Sequence, residues 1–353
     1  MTHEFSSIQG LAWTPDGSEI WFTAADGSEP RSLRAVNLKG KQRILLSSPA
    51  ALHFQDISKD GNVLINSDAA RDQQVFADIA NGQVRDFSFF PFENVGAISR
   101  DSRILLLNTY VTGPNSDYNL YTQSTDGSSP ALIGQGEGWG LSFDSKWALA
   151  LDPVHLDRLR IIPTGVGESS SLTAPPGLNY TVGTWMPDGK QILVVASAAG
   201  HAQVTYLQDI ASGAAHQIGH EGRYAVAMQE VAMSVSPDGQ YCLTTDGENH
   251  YWIQPIAGGE PREIKGLVEG DFPLEWHNDS QNIFFERRGS LNAIDIYDLN
   301  LINSQQKLWT HFSPTDKTAM VAMRHALITP DGAHSLYAVQ RIYSTLFVAR
   351  GIR

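Results

Sequence analysis

The chain has 353 residues, of which 42% are hydrophobic and 18% charged, a composition that supports a folded core and excludes a disordered chain. Acidic residues number 38 and basic residues 25, and the resulting net charge of −13 opposes binding to nucleic acid and to anionic membranes. The single cysteine, Cys242, excludes an internal disulfide framework and a cysteine-based zinc site.

A tight-turn signature recurs along the chain. Four complete copies contain Pro-Asp-Gly, and degenerate copies fill the gaps between them. An apolar side chain stands three residues before every turn aspartate, so the flanks repeat together with the turn. In chain order the turn aspartates, at intervals of 41 to 52 residues, are Asp16, Asp60, Asp101, Asp144, Asp188, Asp238, Asp279 and Asp331.

Short apolar segments with strand character surround each turn. The segments that follow the turns, such as 20–22, 104–107 and 192–195, are rich in β-branched and aromatic residues and lie between turn residues. A third segment, as in 32–38 or 203–209, leads to a glycine turn, and a fourth, as in 43–46 or 131–133, ends the unit. Four strands in about 45 residues, without helical periodicity, are typical of a propeller blade.

These units predict an all-β fold. We expect an eight-bladed β-propeller of four-stranded antiparallel blades in a single domain over residues 1–353, with seven blades as the second choice. The last unit lacks an outer strand, and residues 2–8 are expected to supply it, so that the N- and C-terminal segments pair and close the ring. The predicted units span roughly residues 9–50, 53–90, 94–134, 137–175, 181–220, 230–266, 271–312 and 324–353.

The Trp-x-Pro-Asp-Gly pattern with its apolar flanks resembles the TolB-type, WD40-like (PD40) propeller repeat over essentially the whole chain. Three stretches, 10–17 with 20–23, 121–128 and 341–348, are similar to the C-terminal propeller region of bacterial serine/threonine protein kinases. That resemblance implies a sensor or scaffold module, which is extracytoplasmic in such kinases. The catalytic part of a kinase is absent, because the chain has neither a Gly-rich loop followed by a strand lysine nor a His-Arg-Asp loop.

A polar ring is expected at one mouth of the channel. If the aspartate turns share one face of the propeller, the first strands begin at the other, and a polar residue stands seven or eight positions before each aspartate. The residues four positions before each turn aspartate, such as Ala97, Gly140 and Thr184, are expected to face the channel. Eight of the predicted ligand-binding residues stand seven or eight positions before a turn aspartate, and two, Asp56 and Glu275, stand four positions before one. The full set is Gln9, His53, Asp56, Asn94, Glu137, Thr181, Glu230, Asp271, Glu275 and Arg324.

A polar, mostly acidic funnel on a rigid scaffold suits the binding of a peptide, a cation or a cationic ligand. The simpler interpretation of the same residues is that they form a solvated surface without a ligand. The sequence favours a non-catalytic module that binds a protein or a small ligand there, with no cofactor, metal, nucleic acid or membrane insertion. His216 and His220 have a helical metal-ligand spacing, but Gly219 and Gly222 break any helix at this point.

Two alternatives remain open. The first is a propeller enzyme of the lyase, lactonase or glycosidase type, whose metal or carboxylate site would use Asp56, Glu275, His53 and Asp271. The chain has no His-Glu-x-x-His motif and no Gly-x-Ser-x-Gly elbow, so a serine hydrolase is not expected. The second is a periplasmic TolB-like envelope scaffold. We expect a cytoplasmic location if Met1 is the native start and an extracytoplasmic one if the chain is a fragment of a membrane kinase.

Overall fold

The regular secondary structure is entirely β-strand in the computed structural model, which describes residues 4–27, 30–90, 93–111, 117–226, 235–324 and 326–352. Within those ranges, no helix has the length and apolar character needed to span a membrane. The predicted all-β fold is therefore confirmed.

The N-terminal strands form one complete sheet and begin a second. The first sheet has the order β1 (Ser7–Trp13), β2 (Glu19–Ala25), β3 (Ser32–Asn37) and β4 (Gln42–Leu46). The next three strands, β5 (Ala51–Ile57), the long β6 (Val63–Asp78) and β7 (Gln83–Asp86), belong to a sheet that the end of the chain completes.

Five four-stranded antiparallel sheets follow, and we number them blades I to V. Blade I contains β8 (Glu93–Ile98), β9 (Ile104–Val111), β10 (Asp117–Ser124) and β11 (Ala131–Gln135). Blade II contains β12 (Glu137–Leu141), β13 (Trp147–Leu151), β14 (Arg158–Pro163) and β15 (Ser170–Thr173). Blade III contains β16 (Leu178–Trp185), β17 (Gln191–Ala198), β18 (Val204–Asp209) and β19 (Ala215–Ile218). Blade IV contains β20 (Tyr224–Ala225), β21 (Tyr241–Thr245), β22 (Tyr251–Pro255) and β23 (Arg262–Glu263). Blade V contains β24 (Asp271–Trp276), β25 (Asn282–Ser290), β26 (Ala293–Asn300) and β27 (Gln306–Phe312).

The last strands are β28 (Met320–Met323), β29 (Leu327–Ile328) and β30 (His334–Ala349). Strand β30 pairs with β6 along its whole length, from His334 opposite Asp78 to Ala349 opposite Val63. This shared sheet has two halves. The closing half contains β28, β29, residues 334–341 of β30, residues 71–78 of β6, and β7. The side half contains β5, residues 63–70 of β6 and residues 342–349 of β30.

Buried apolar side chains join the closing half and blades I to V into a ring. One cluster packs blade V against the closing half, and a second packs the closing half against blade I. Three further clusters join blade I to II, blades II to III and IV, and blade IV to V. The first sheet packs instead on the side half, through a separate cluster that includes Trp21, Phe54 and Ile65.

The expected count of eight separate blades is not confirmed, because the second and eighth units share one sheet. The strand that completes the last unit also differs from the prediction. Ser7 and Ile8 pair with Ala25 and Ala24 inside the first sheet, whereas β30 takes β6 as its partner. The physical reason is that β30 and β6 pair over 16 residues, so β6 occupies one side of β30 along its whole length and takes the place of residues 2–8 as its partner.

The aspartate turns owe their shape to a repeated hydrogen-bond motif. In blade II, the Ser142 hydroxyl donates to Asp144 at 2.7 Å and accepts the Trp147 amide at 3.0 Å, which ties the start of the second strand to the turn. Ser236 and Thr329 form the same motif in blade IV and the closing half. Where the signature begins with Ser or Thr, it therefore encodes the corner of the hairpin.

Candidate functional site

The structure places five of the predicted ligand-binding residues in the ring, at the end of the blades away from the aspartate turns. Asn94, Glu137 and Asp271 stand at or next to the first residue of β8, β12 and β24. Thr181 lies in β16, and Arg324 follows β28. We call these five residues the mouth.

Four other predicted residues lie elsewhere. Gln9 belongs to β1 of the first sheet, while His53 and Asp56 belong to β5 of the side half. They are separated from the mouth because the first two repeat units do not contribute first strands to the ring. Glu275 is in the ring but lines the channel beyond the mouth. The tenth predicted residue, Glu230, lies outside the described residues.

Asp271 is buried and bound by an arginine. Its side chain has no exposed surface, and Arg287 binds both carboxylate oxygens, at 2.7 and 2.6 Å. The hydrogen bonds to Asp271 raise the pKa of Arg287, whose guanidinium also lies 4.9 Å from the Tyr297 ring centre. The Val268 amide donates a further hydrogen bond to the carboxylate. This bidentate, charge-assisted pair holds the start of β24 in one position.

Two more acidic side chains at this end of the ring are held in the same way. Glu286, on β25, binds Arg288 at 2.8 Å, and Arg288 in turn donates to the Met323 carbonyl beside the mouth. Asp152, which follows β13, binds Arg160 at 2.7 Å. Burial acts to raise the pKa of Asp152, but the Arg160 hydrogen bond and two backbone amides outweigh it and lower that pKa to about 2.

A small cavity of about 20 Å³ lies between the closing half and blade I at the mouth, and Asp72, Glu93, Asn94 and Arg324 supply polar groups to its lining. Asp72 lies 3.9 Å from Arg324, and burial raises the pKa of Asp72. Burial also raises the pKa of Glu93 to about 7, although two backbone amides that bind its carboxylate act in the opposite direction. Asp72 Oδ1 and Asn94 Oδ1 are buried and accept no hydrogen bond from the described residues.

The other two mouth residues are less enclosed. Burial raises the pKa of Glu137, and a hydrogen bond involving Trp139 opposes that change. Thr181 is exposed on the surface and accepts a hydrogen bond from Gln203 at 3.2 Å. Thr181 is thus the mouth residue most accessible to a partner.

A second cavity lies in the channel, nearer the aspartate turns. Ala97, Gly140, Thr184 and Glu275 line a cavity of about 70 Å³, as side chains four positions before a turn aspartate were expected to do. Strands β8, β12 and β24 each carry a β-bulge immediately before this position, and the bulge reorients the side chain that follows it.

Arg100 crosses the end of this cavity. Its guanidinium lies 4.6 Å from the Phe143 ring centre in blade II and donates to the Asn278 side chain of blade V at 2.8 Å. Sequence reasoning missed Arg100, Glu93 and Asp72. The available signal for Arg100 was its place in a degenerate turn, where the complete copies have proline.

The four residues proposed for an enzymatic site do not come together. His53 and Asp56 are in the side half, Asp271 is bound by Arg287, and Glu275 lines the inner cavity. Among the residues that the structure describes, the one group with three potential metal-ligating atoms close together is Asp246, Glu248 and His250, in the turn after β21. There Asp246 binds the Glu248 amide and His250, which are contacts of a closed polar turn.

No protein-family model matches the sequence, and no curated protein does either. Among solved structures, a protein assigned as TolB from Agrobacterium tumefaciens is similar with a TM-score of 0.54 and 19% identity, covering 78% of this chain and 99% of that one. TolB from Acinetobacter baumannii gives a TM-score of 0.35 at 14% identity, over 98% of this chain and 67% of that one. A prolyl endopeptidase gives 0.46 at 13% identity, over 95% of this chain and 54% of that longer one.

The similarity to the Agrobacterium tumefaciens protein supports the assignment of the fold. The chain has the fold of a TolB-type β-propeller, as the turn signature predicted. At 19% identity the comparison says nothing of activity, and the resemblance to kinase propeller regions stays a prediction from the sequence.

Proposed function

We propose that this protein is a non-catalytic propeller scaffold that binds a protein partner at the mouth. The observation that carries the proposal is the pairing of buried carboxylates with arginines there. Asp271 and Glu286 are bound by Arg287 and Arg288, so these acids fix the shape of the surface and are not free to act as bases or metal ligands. A rigid polar rim of this kind suits the recognition of another protein's surface.

The dimensions of the channel support the same proposal. The cavities at the mouth and along the channel, of about 20 and 70 Å³, hold one or a few water molecules, whereas small-molecule sites usually enclose about 300 to 1,000 Å³. Grooves of about 370 and 650 Å³ do occur, but they lie between neighbouring blades away from the channel. A partner at the mouth would therefore rest on the rim.

Site-specific photo-crosslinking tests this proposal. A crosslinking amino acid replaces Thr181 at the mouth in one variant and Lys190, exposed in the turn at the other end of the same blade, in a matched control. We expect a discrete protein adduct from a native cell extract at position 181 and none at 190. With the partner purified, Thr181→Arg should weaken binding at least about tenfold in a calorimetric titration. Equal adducts at both positions, or unchanged affinity, would contradict the proposal.

The enzymatic alternative makes different predictions. Stoichiometric divalent metal in the purified protein, together with turnover of a lactone, glycoside or polyuronate that a mouth substitution abolishes, would replace the scaffold by a propeller enzyme. The identity of the crosslinked protein separates the remaining forms of the scaffold: a cell-envelope protein favours a TolB-like role, and a signalling protein favours a sensor role.

A further inference from the structure

The second half of β30 is an open sheet edge. Residues 334–341 of β30 have neighbours on both sides, with β6 on one and β28 or β29 on the other. Residues 343–349 pair with β6 alone, and no strand of the described chain lies along their other side. The side half is thus a three-stranded sheet that lacks the fourth strand present in blades I to V.

The backbone of this edge has unused hydrogen-bonding groups. The Ile342 amide points away from β6, because it donates to the Ala319 carbonyl at 2.8 Å. Successive residues of a strand direct their amides to alternate sides, so the amides and carbonyls of Ser344, Leu346 and Val348 also point away from β6. These groups form a row that another strand can extend.

The side chains along the edge favour such pairing. Leu346 is 62% exposed, Val348 60% and Phe347 49%, and the stretch 342–349 carries no charge. Natural sheets usually protect open edges with lysine, proline or a bulge. Here the pairing of β30 with β6 has no register shift, and the stretch contains neither lysine nor proline.

We propose that this edge pairs, antiparallel, with the same edge of a second copy of the chain. The free stretch 343–349 is centred on Leu346, whose amide and carbonyl both point outward. A two-fold axis at Leu346 places Ser344 opposite the partner's Val348, and each of these outward-facing pairs exchanges two hydrogen bonds. With the axis at Leu346, the second copy also avoids β28, because the pairing of β28 with β30 ends near Arg341.

The same register suits the side chains and the charges. It places Phe347 opposite the partner's Thr345 on the face toward the first sheet, an aromatic and β-branched pair of the kind that stabilises sheets. Arg341 and Arg350 come opposite uncharged residues, so no like charges meet. With a net charge of −13, other self-contacts bring mostly acidic surfaces together, and this uncharged edge between two arginines avoids that repulsion. A second copy is therefore the occupant that the edge fits.

Sedimentation equilibrium of the full chain tests the proposal. We expect a concentration-dependent dimer for the wild type, and Leu346→Lys should weaken dimerisation at least about tenfold, by charging the centre of the interface. Leu308→Lys is the matched control, since Leu308 is a 48% exposed leucine on β27 of the ring and its replacement should leave the dimer unchanged. Far-ultraviolet circular dichroism and thermal unfolding show whether each variant is folded.

Hydrogen exchange provides a second readout that does not depend on a variant. The amides of Ser344, Leu346 and Val348 should become more protected as the wild-type concentration rises, while the amide of Ile342, already bound to Ala319, should not change. A wild type that stays monomeric at its solubility limit would overturn the proposal, as would a dimer that persists in folded Leu346→Lys. The mouth is not part of this edge, so either result leaves the proposed scaffold function to its own test.

Discussion

Arg287→Met tests whether the buried ion pairs hold the mouth. The change keeps much of the aliphatic length of the side chain and removes the guanidinium that binds both oxygens of Asp271. The Asp271 side chain is wholly buried, whereas the Arg287 side chain is 32% exposed. In the variant, Asp271 keeps the Val268 amide as a partner but loses its counter-charge.

The expected loss of unfolding free energy is about 3 kcal/mol. Truncating one partner of a buried ion pair costs about 3 to 5 kcal/mol, and the lower end applies because water can reach the partly exposed space that Arg287 leaves. Arg43→Met is the matched control. Its partner is Glu19 at 2.7 Å, and with side chains 43% and 20% exposed this pair should contribute less than about 1 kcal/mol.

Urea unfolding followed by tryptophan fluorescence at neutral pH measures both variants. Adding Asp271→Asn to Arg287→Met should restore about 1 to 2 kcal/mol, because the double variant buries no unpaired charge. A loss for Arg287→Met within about 0.5 kcal/mol of the loss for Arg43→Met would refute the reasoning, because it would mean that the buried pair does not stabilise the mouth.

Three further predictions use the same unfolding assay. Because burial raises the pKa of Glu93 to about 7 from 4.5, its stabilising contribution is complete below pH 4.5 and is lost as the pH rises through 7, by up to about 3 kcal/mol. Glu93→Gln should remove this pH dependence, and identical profiles for variant and wild type would contradict the assignment. Ser236→Ala should cost about 1 to 2 kcal/mol, because it leaves the Tyr241 amide and the turn aspartate without the hydroxyl at 2.9 and 2.6 Å. Gly138→Ala should cost about 1 to 3 kcal/mol, because its Cβ would lie 2.3 Å from Leu120, whereas Gly140→Ala meets nothing nearer than 3.9 Å and should be tolerated.

The sequence predicts local structure well because its signals are local. The Ser/Thr-Asp corners follow from hydrogen bonds within about five residues, and each corner then pairs the strands on its two sides. The sequence does not show which faces of the sheets are covered by neighbouring sheets. Trp13, Trp185 and Trp276 occupy equivalent positions, yet Trp185 and Trp276 are about 2% and 1% exposed and Trp13 is 51% exposed, because Trp13 belongs to the first sheet, which lies outside the ring.

The shared sheet shows a second limit of sequence patterns. The middle of β6, around Asp68 and Arg71, is polar and does not have the apolar pattern of a buried strand. Its extended form depends on β30, which pairs with it residue by residue. A partner strand more than 250 residues away leaves no periodic trace in β6 itself.

The candidate site likewise contains some features that the sequence predicts and others that it does not. Ala97, Gly140, Thr184 and Glu275, each four positions before a turn aspartate, line one cavity in the ring, whereas Asp56, at the same repeat position, lies in the side half. The Asp271–Arg287 pair joins two neighbouring strands of blade V, and the contact of Arg100 with Asn278 joins blades I and V. Repeat spacing carries no information about such contacts, since they depend on which side chains the strand register and the meeting of blades bring together.

The pairing of β6 with β30 also imposes an order on biosynthesis. Gln73 and Arg341, which contact each other across these strands, are 268 residues apart, and a ribosome needs roughly 15 to 50 seconds to make that much chain. During that interval β6 is made and its partner is not, so the side of β6 that β30 covers stays unpaired on the nascent chain. Both halves of the shared sheet can therefore be completed only after β30 has been made.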